Sequence, residues 1–189
     1  MQKIILASQS PRRKQLLEWA EVDFEILVSD AAETYPDHLS FSEVAIHIAK
    51  NKALKVKDQF SPTLPILAAD TIVVCEDEII GKPKDKTDAM RIIRKLSGKT
   101  HEVITGVFIT SNEKEIAFAD ITEVCFYELT DTQIEFYIDK YKPYDKAGAY
   151  AIQEWIGVTG IKSIKGDFYN VMGLPVSRVV QALSSNFIN

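Results

Sequence analysis

One acid interrupts an otherwise apolar run in the first half of the chain. Residues 65–74 read Pro-Ile-Leu-Ala-Ala-Asp-Thr-Ile-Val-Val, with Asp70 as the charged member, and the β-branched end of the run favours a buried strand. Burying a carboxylate is costly unless a cation pairs with it. The candidate cations are Arg12, Arg13, Lys52 and Lys82. The alternative interpretation is an acid at a strand end that simply faces water.

Length and composition limit the class of protein. At 189 residues, with 46% hydrophobic and 26% charged residues, the chain suits one domain with a sizeable core, or two lobes around a cleft. Its net charge of −5 argues against a general affinity for nucleic acid or anionic membranes. No apolar stretch reaches the roughly 18 residues of a membrane span, and residues 1–7 lack the pattern of a signal peptide. We therefore expect a cytoplasmic protein, with Cys75 and Cys125 reduced.

Hydrophobic patterns and helix caps predict a mixed α/β sheet. Predicted strands cover residues 3–7, 24–28, 65–74, 101–110 and 115–127. Predicted helices begin after Ser10, at Ser40, at Thr87, after Thr130 and at Pro175. Capping boxes, Ser-x-x-Glu at Ser40 and Thr-x-x-Gln at Thr130, mark two of these starts. The order of the elements favours one mixed sheet over separate domains.

The helix that follows the first strand has a distinctive start. Ser10 suits a helix cap and Pro11 a first helical residue, and Arg12 and Arg13 follow in the first turn. Free N–H groups and the positive end of the helix dipole attract anions. We therefore favour an anion site over an ordinary capped helix with solvated arginines. The lysines of the next helix fit a solvated face, and periodicity alone does not single out Lys52.

Several familiar catalytic motifs are absent from the sequence. Residues 157–163 lack the spacing of a phosphate loop, the histidines lie in no zinc-ligand spacing, and no Gly-x-Ser-x-Gly elbow occurs. The remaining functional groups are carboxylates, lysines, arginines and a helix N-terminus. That set suits phosphoryl transfer with a magnesium-class ion, in which electrostatic positioning supplies most of the catalysis.

Five short motifs occur in order along the chain. They are Ser-Gln-Ser-Pro-Arg-Arg at residues 8–13, Ala-Asp-Thr at 69–71, Gly-Lys-Pro at 81–83, Asp-Lys-Ala-Gly-Ala-Tyr at 145–150 and Gly-Leu-Pro at 173–175. Together they resemble the Maf family of nucleoside triphosphate pyrophosphatases. The resemblance implies one α/β domain over residues 1–189, with a twisted mixed sheet flanked by helices and two lobes around a central cleft, as in the inosine triphosphate pyrophosphatases. It also implies hydrolysis of a nucleoside triphosphate to the monophosphate and pyrophosphate, with a divalent metal, Mg²⁺ or Mn²⁺.

The resemblance implies roles for particular residues. The catalytic acid falls on Asp70, and Glu33 matches an acidic position that would help Asp70 to hold the metal. The positions implied for phosphate binding are Ser10, Arg13, Lys52 and Lys82. These assignments rest on the match to the motifs, and the loop that contains Glu33 is the least closely matched part.

The resemblance also implies a base preference. Ala-Asp-Thr at 69–71 and Tyr-x-Ile-Gln at 150–153 match the dTTP/UTP branch of the family, whereas a 7-methyl-GTP branch carries Ser-Asp-Gln and a Ser-Glu pair. The residues implied for base selection are Arg12, Thr71 and Gln153. An amide such as Gln153 donates and accepts at once, which suits the imide edge of uracil or thymine. Strand alternation turns Thr71 away from Asp70, so Thr71 reaches the base only if the strand ends there or the pocket wraps around its edge.

Two functions are compatible with this predicted pocket. One is an enzyme that removes pyrimidine nucleoside triphosphates, including modified ones. The other is a nucleotide-binding regulator of septum formation and cell division without essential turnover. Asp70 favours the enzyme, because a regulator gains nothing from an added negative charge beside the phosphates. The expected partner is a nucleoside triphosphate, with no nucleic acid and no membrane, and the resemblance leaves a homodimer open.

Overall fold

The computed structural model describes residues 3–28 and 30–187 as a mixed α/β protein. Its strands are β1 (Ile4–Leu6), β2 (Phe24–Ile26), β3 (Ile66–Cys75), β4 (Glu78–Ile80), β5 (Thr100–Thr110), β6 (Glu115–Phe126) and β7 (Ile161–Lys165). Its helices are α1 (Pro11–Trp19), α2 (Phe41–Phe60), α3 (Lys86–Leu96), α4 (Asp131–Tyr141), α5 (Trp155–Gly160), α6 (Phe168–Met172) and α7 (Val176–Asn186), with a 3-10 turn at Ala147–Ala149.

The strands form one mixed sheet. They pair in the order β2-β1-β3-β5-β6-β7, and β4 pairs with β3. β1 runs parallel to both β2 and β3, whereas β4 is antiparallel to β3 and β7 is antiparallel to β6. The prediction of a mixed sheet flanked by helices is confirmed.

Local capping signals locate the helix starts well. Both predicted capping boxes are present, Ser40 with Glu43 and Thr130 with Gln133, and Pro175 precedes α7 as predicted. Other bounds differ: β2 ends at Ile26 rather than at residue 28, and the sequence pattern predicts neither α5 nor α6. Those two helices have six and five residues, too few for a 3.6-residue period to show.

The chain groups into two compact units. The first unit contains the chain up to Thr71, residues 105–120 and the segment from Gly173 onward. Its core cluster consists of Ile5, Ala7, Ala49, Ala53, Val56, Ile66, Ala68 and Phe108. Gly106 in β5 contributes to this packing, because a Cβ there would lie 2.2 Å from the backbone carbon of Ala45 in α2. The helix and the strand therefore approach closely only with glycine at that position.

The second unit contains residues 72–104 and 121–172. Within it α3 packs against α4. The buried residues of these helices are Ala89, Ile92, Ile93 and Leu96 from α3 and Ile134, Tyr137 and Ile138 from α4. His101, Phe126 and Tyr150 form a buried cluster with their ring centroids 5.0–5.4 Å apart. That residues 1–189 form a single domain stays a prediction.

The structure also describes the cysteines and the lengths of the helices. Cys75 is buried at the end of β3, Cys125 in β6 is half-buried, and both are free thiols. Burial raises the pKa of the Cys75 thiol, which keeps that group neutral at ordinary pH. Within residues 3–28 and 30–187, no helix is both long and apolar enough to cross a membrane.

Candidate active site

Asp70 lies inside β3 and is paired with a lysine. Its Oδ1 accepts a hydrogen bond from Nζ of Lys52 at 2.6 Å, and the side chains of Asp70 and Lys52 are only 13% and 19% exposed. A carboxylate this far from water needs such a partner, and losing the lysine would leave a buried charge uncompensated. Lys52, on α2, is therefore the candidate cation that pairs with Asp70 in the structure.

The same lysine also contacts Glu33. The Oε1 atom of Glu33, in the loop that precedes α2, lies 2.8 Å from Nζ of Lys52. Because the Glu33 side chain is 52% exposed, this second ion pair contributes little to stability. Its effect is to bring the two acids that the sequence predicts as metal ligands to one ammonium group.

The start of α1 has the predicted cap. Ser10 Oγ accepts a hydrogen bond from the backbone N–H of Arg13 at 3.4 Å, and Ser8 Oγ accepts one from the backbone N–H of Ser10 at 3.2 Å. No acidic residue lies in the first turn of this helix. The positive end of the helix dipole is therefore reinforced by arginines rather than balanced by acids, which favours an anionic ligand.

Arg13 is buried and held by three hydrogen bonds. Its Nε donates to the carbonyl of Gly173 at 2.8 Å, its Nη1 to Ser8 Oγ at 3.2 Å and its Nη2 to Thr71 Oγ1 at 3.0 Å. Burial lowers the pKa of Arg13, and the negative charge of Asp70 opposes that shift. An arginine stays protonated throughout the ordinary pH range. Arg13 is therefore a rigidly placed cation in the same unit as Asp70.

The hydroxyl of Thr71 takes part in this network. Besides accepting from Arg13, Oγ1 lies 2.9 Å from Oγ1 of Thr105 and 3.4 Å from the carbonyl oxygen of Gly173. A hydroxyl has one hydrogen and two lone pairs, so its hydrogen is used by one of these neighbours in either arrangement. Of the two conditions under which Thr71 would reach the base, a strand end at Thr71 is not met, because β3 continues to Cys75; a pocket that wraps around the strand edge stays a prediction.

Sequence reasoning assigned no role to three residues of this network. Gly173, Ser8 and Thr105 all bind Arg13 or Thr71. Gly173 has a φ of +118°, and a Cβ there would lie 3.8 Å from Nε of Arg13, so its glycine serves backbone conformation rather than space. A signal was present for two of them, because Ser8 and Gly173 belong to the motifs that carry the family resemblance.

The remaining predicted site residues are divided between the units. Arg12 lies in the first turn of α1 and is half-buried. Lys82 and Gln153 belong to the second unit, and both are exposed. Lys82 follows β4, and Gln153 lies just before α5. Their roles toward phosphate and base stay predictions.

The fold and these residues of the first unit define a class of mixed α/β protein. In this class an acid inside a strand is paired with a lysine, and a capped helix start carries arginines. Comparison with family models identifies the protein more specifically than this class does. The family model described as Maf-like protein matches residues 3–186. The chain belongs to the Maf family.

Three relatives illustrate the similarity within this family. A protein of Cytophaga hutchinsonii is 54% identical over 97% of this chain and 84% of the relative. One of Bacillus cereus is 48% identical over 97% of this chain and 95% of the relative, and one of Parabacteroides distasonis is 47% identical over 96% and 94%. Each of the three is named dTTP/UTP pyrophosphatase.

Solved structures show a more distant likeness. The Ham1 protein of Staphylococcus aureus has a TM-score of 0.48 and 13% identity, over 66% of this chain and 72% of that one. A HAM1 protein of Coxiella burnetii has a TM-score of 0.45 and 19% identity, over 67% and 73%. These likenesses are too distant to bear on the activity of this protein.

Proposed function

We propose that this protein hydrolyses dTTP and UTP to the nucleoside monophosphate and pyrophosphate. The observation that carries the proposal is the largely buried Asp70 carboxylate, which is paired with Lys52. The same lysine also contacts Glu33. A charged acid is kept in the strand interior at an energetic cost, which fits a catalytic group better than a packing role. The names of the relatives support the substrate class.

We assign proton transfer to Asp70. One of its oxygens accepts from Lys52, and its other oxygen makes no hydrogen bond within residues 3–28 and 30–187. A carboxylate placed in this way accepts a proton from water as the water attacks phosphorus. Attack at the α-phosphorus breaks the bond to the bridging oxygen, so that pyrophosphate leaves and the monophosphate remains.

We assign a divalent metal, Mg²⁺ or Mn²⁺, to the carboxylates of Glu33 and Asp70. Hard carboxylate oxygens suit these ions, and Mg²⁺ is commonly bound through one or two carboxylates together with substrate phosphates. The described residues contain no group of three or more His, Cys, Asp or Glu side chains that could hold a metal, so the proposed protein ligands are these two acids. When bound, the ion would neutralise phosphate charge and lower the pKa of a bound water.

We assign the cations and polar groups to two parts of the nucleotide. The residues proposed for the phosphates are Ser10, Arg13, Lys52 and Lys82. Toward the residues that the structure describes, Arg13 uses three of its N–H groups, which leaves two of an arginine's five for an anion. The residues proposed for the base are Arg12, Thr71 and Gln153. Because its hydroxyl is bound within the protein, the structure favours an indirect contribution of Thr71 to nucleotide binding, through the position of Arg13, over a direct contact with the base.

Product analysis tests the proposal. The purified protein is incubated with dTTP, UTP, CTP and GTP in the presence of Mg²⁺, and nucleotide products and pyrophosphate are quantified. We expect monophosphate and pyrophosphate, fastest from dTTP and UTP. Diphosphate as the main product would overturn the reaction type, and equal rates for GTP and dTTP would overturn the base preference. Tight nucleotide binding without turnover would favour the regulator instead.

Two further properties belong to the same proposal. Activity should disappear with EDTA and return with Mg²⁺ or Mn²⁺, and failure of either ion to restore it would contradict the metal assignment. We also propose a cytoplasmic location, because the proposed substrates are nucleoside triphosphates, which are held in the cytoplasm. Light scattering on the purified protein distinguishes a homodimer from a monomer.

A further inference from the structure

The segment that carries Gln153 is fastened to the interior of the second unit. Tyr150, Ala151 and Ile152 are only 5%, 5% and 3% exposed, whereas Gln153 is exposed. At its first residue, the hydroxyl of Tyr150 lies 2.8 Å from Nε2 of the buried His101. The chain therefore presents one amide side chain outward from an otherwise buried segment.

A buried tyrosine of α4 binds this segment on both sides of Gln153. The hydroxyl of Tyr137 accepts a hydrogen bond from the backbone N–H of Ala151 at 3.1 Å and donates its own hydrogen to the carboxylate of Glu154. Tyr137 is 0% exposed; its hydrogen bond with Ala151 is buried, and the one to Glu154 is partly buried. The hydroxyl oxygen of Tyr137 thus links Ala151, two residues before Gln153, to Glu154, the residue after it.

The carboxylate of Glu154 has a second partner in Lys146. Nζ of Lys146 lies 3.7 Å from Oε1 of Glu154 and 2.7 Å from Oδ1 of Asp145. The Lys146 side chain is 10% exposed and that of Glu154 is 21% exposed. The tyrosine and the lysine therefore hold Glu154 from two directions in a poorly solvated place, where hydrogen bonds to charged groups are strong.

The backbone after Gln153 is equally constrained. The N–H of Glu154 donates to the carbonyl of Ala151 at 3.1 Å, and the N–H of Gly157 donates to the carbonyl of Glu154 at 2.9 Å. A Cβ at Gly157 would lie 1.7 Å from the carbonyl oxygen of Ile152, so this tight turn requires glycine. The segment has little freedom to move Gln153.

We propose that Tyr137, through its hydrogen bonds to Ala151 and Glu154, is a positioning residue that sets the orientation of Gln153 for base selection. This inference rests on the proposed function, in which Gln153 reads the pyrimidine. Tyr137 touches no substrate in this scheme. Its hydroxyl keeps the Gln153 amide in the orientation that pairs with the pyrimidine. In another orientation the donors and acceptors of the amide and the base would stay unpaired, and selectivity would fall.

Tyr137→Phe tests the inference, because it removes only the hydroxyl. We expect the ratio of kcat/KM for dTTP to that for GTP to fall about threefold to tenfold, the loss expected for one or two hydrogen bonds. The loss should lie in KM for dTTP and UTP, with the inhibition constant of pyrophosphate unchanged, since pyrophosphate carries no base. The matched control is Tyr141→Phe on the same helix, whose hydroxyl makes no hydrogen bond within the described part of the chain.

Glu154 supplies a second, independent test. Glu154→Gln keeps an oxygen that accepts from Tyr137 and should retain most of the selectivity. Glu154→Ala removes the acceptor and should lower selectivity as Tyr137→Phe does. Melting temperatures measured on all four variants separate loss of stability from loss of selectivity.

The outcomes separate this inference from the proposed function. A wild-type protein that hydrolyses dTTP and UTP, with selectivity equal in Tyr137→Phe and Tyr141→Phe, would overturn the positioning role alone. A uniform loss for every nucleotide, with weaker pyrophosphate inhibition, would show a merely structural role and overturn it too. Absence of dTTP and UTP hydrolysis in the wild type would overturn the proposed function, and this inference with it.

Discussion

Each unit of the protein contains a lysine between two carboxylates, but the two clusters differ in what else binds the acids. In the first unit Lys52 contacts Asp70 and Glu33 at 2.6 and 2.8 Å. In the second unit Lys146 contacts Asp145 at 2.7 Å and Glu154 at 3.7 Å. The residue types are nearly identical, so the ion pairs alone do not indicate which cluster performs chemistry.

The difference lies in the remaining lone pairs. Glu154 also accepts the hydroxyl of the fully buried Tyr137, whereas within the described residues Asp70 makes a hydrogen bond to Lys52 alone. Burial and the Glu154 carboxylate both raise the pKa of Tyr137, so its hydroxyl stays a donor. A carboxylate bound on both sides serves structure, and one with an oxygen left over is available to a proton or a metal.

The largest effect should follow from neutralising one acid of each cluster. Asp70→Asn keeps the shape but loses the charge, so we expect turnover to fall at least about a hundredfold while nucleotide binding persists. Glu154→Gln should lose much less, and Asp120→Asn, which breaks the ion pair with Arg178 in the first unit, is the control for a general charge effect. Steady-state kinetics and calorimetric nucleotide titration check this. Retention of more than about a tenth of the wild-type rate by Asp70→Asn, a loss below ~1.4 kcal/mol, would remove Asp70 from the centre of the mechanism.

A smaller effect should follow from removing one cation of each unit. Arg13→Ala and Lys82→Ala should each cost roughly 1.5–3 kcal/mol in kcat/KM, equally for dTTP and UTP, because both act on phosphate. Only Arg13→Ala should also lower the melting temperature, since Arg13 is buried and binds Gly173 and Ser8. Lys162→Ala, an exposed lysine of the second unit, is the control. A loss confined to one nucleotide would contradict the phosphate assignment.

Acid should destabilise the protein through the second unit. Burial lowers the pKa of His101 from 6.5 to about 4, so between these values the unfolded chain binds a proton that the folded protein does not. The free energy of unfolding should therefore fall as the pH drops, by about 2 kcal/mol between pH 6.5 and 5. Denaturant titrations at several pH values measure it.

His101→Phe should flatten that pH dependence, because it removes the titrating group from the buried aromatic cluster. His38→Gln, at an exposed position of the first unit, is the matched control for the removal of a histidine. An unchanged slope in His101→Phe would contradict the assignment and place the acid sensitivity elsewhere.

The smallest effect concerns the contact between Thr71 and Arg13. Thr71→Val keeps the shape of the side chain but removes the hydroxyl that binds Nη2. We expect a loss of about 1 kcal/mol in kcat/KM, similar for dTTP and UTP and largely absent when Arg13 is already alanine. Thr63→Val, at an exposed position in the same unit, is the control. An effect that persists undiminished in the double mutant would place Thr71 directly against the base.

Much of the fold could be predicted because its signals are local. The cap at Ser10, the capping boxes at Ser40 and Thr130 and the strand around Asp70 all depend on residues within a few positions of one another. The short helices α5 and α6 could not be predicted, because helices of this length are stabilised by tertiary packing and are too short to show a periodic apolar face.

The candidate site divides in the same way. The family and the acids and cations to consider could be read from the sequence, because motif order and residue type are properties of the chain. Which lysine of α2 contacts Asp70 depends on how the helix packs against the sheet. Lys52 does so, while Lys50 pairs with Glu115 and Lys57 donates to the carbonyl of Ser111.

Tertiary packing likewise sets the contact between Thr71 and Arg13 and the hydrogen bond from the segment around Gln153 to Tyr137. A pattern of residues gives the face on which a side chain lies, but not the partner that meets it. Those partners lie 58 and 14 positions apart along the chain, and they are brought together only by the packing of strands and helices that the sequence pattern leaves open.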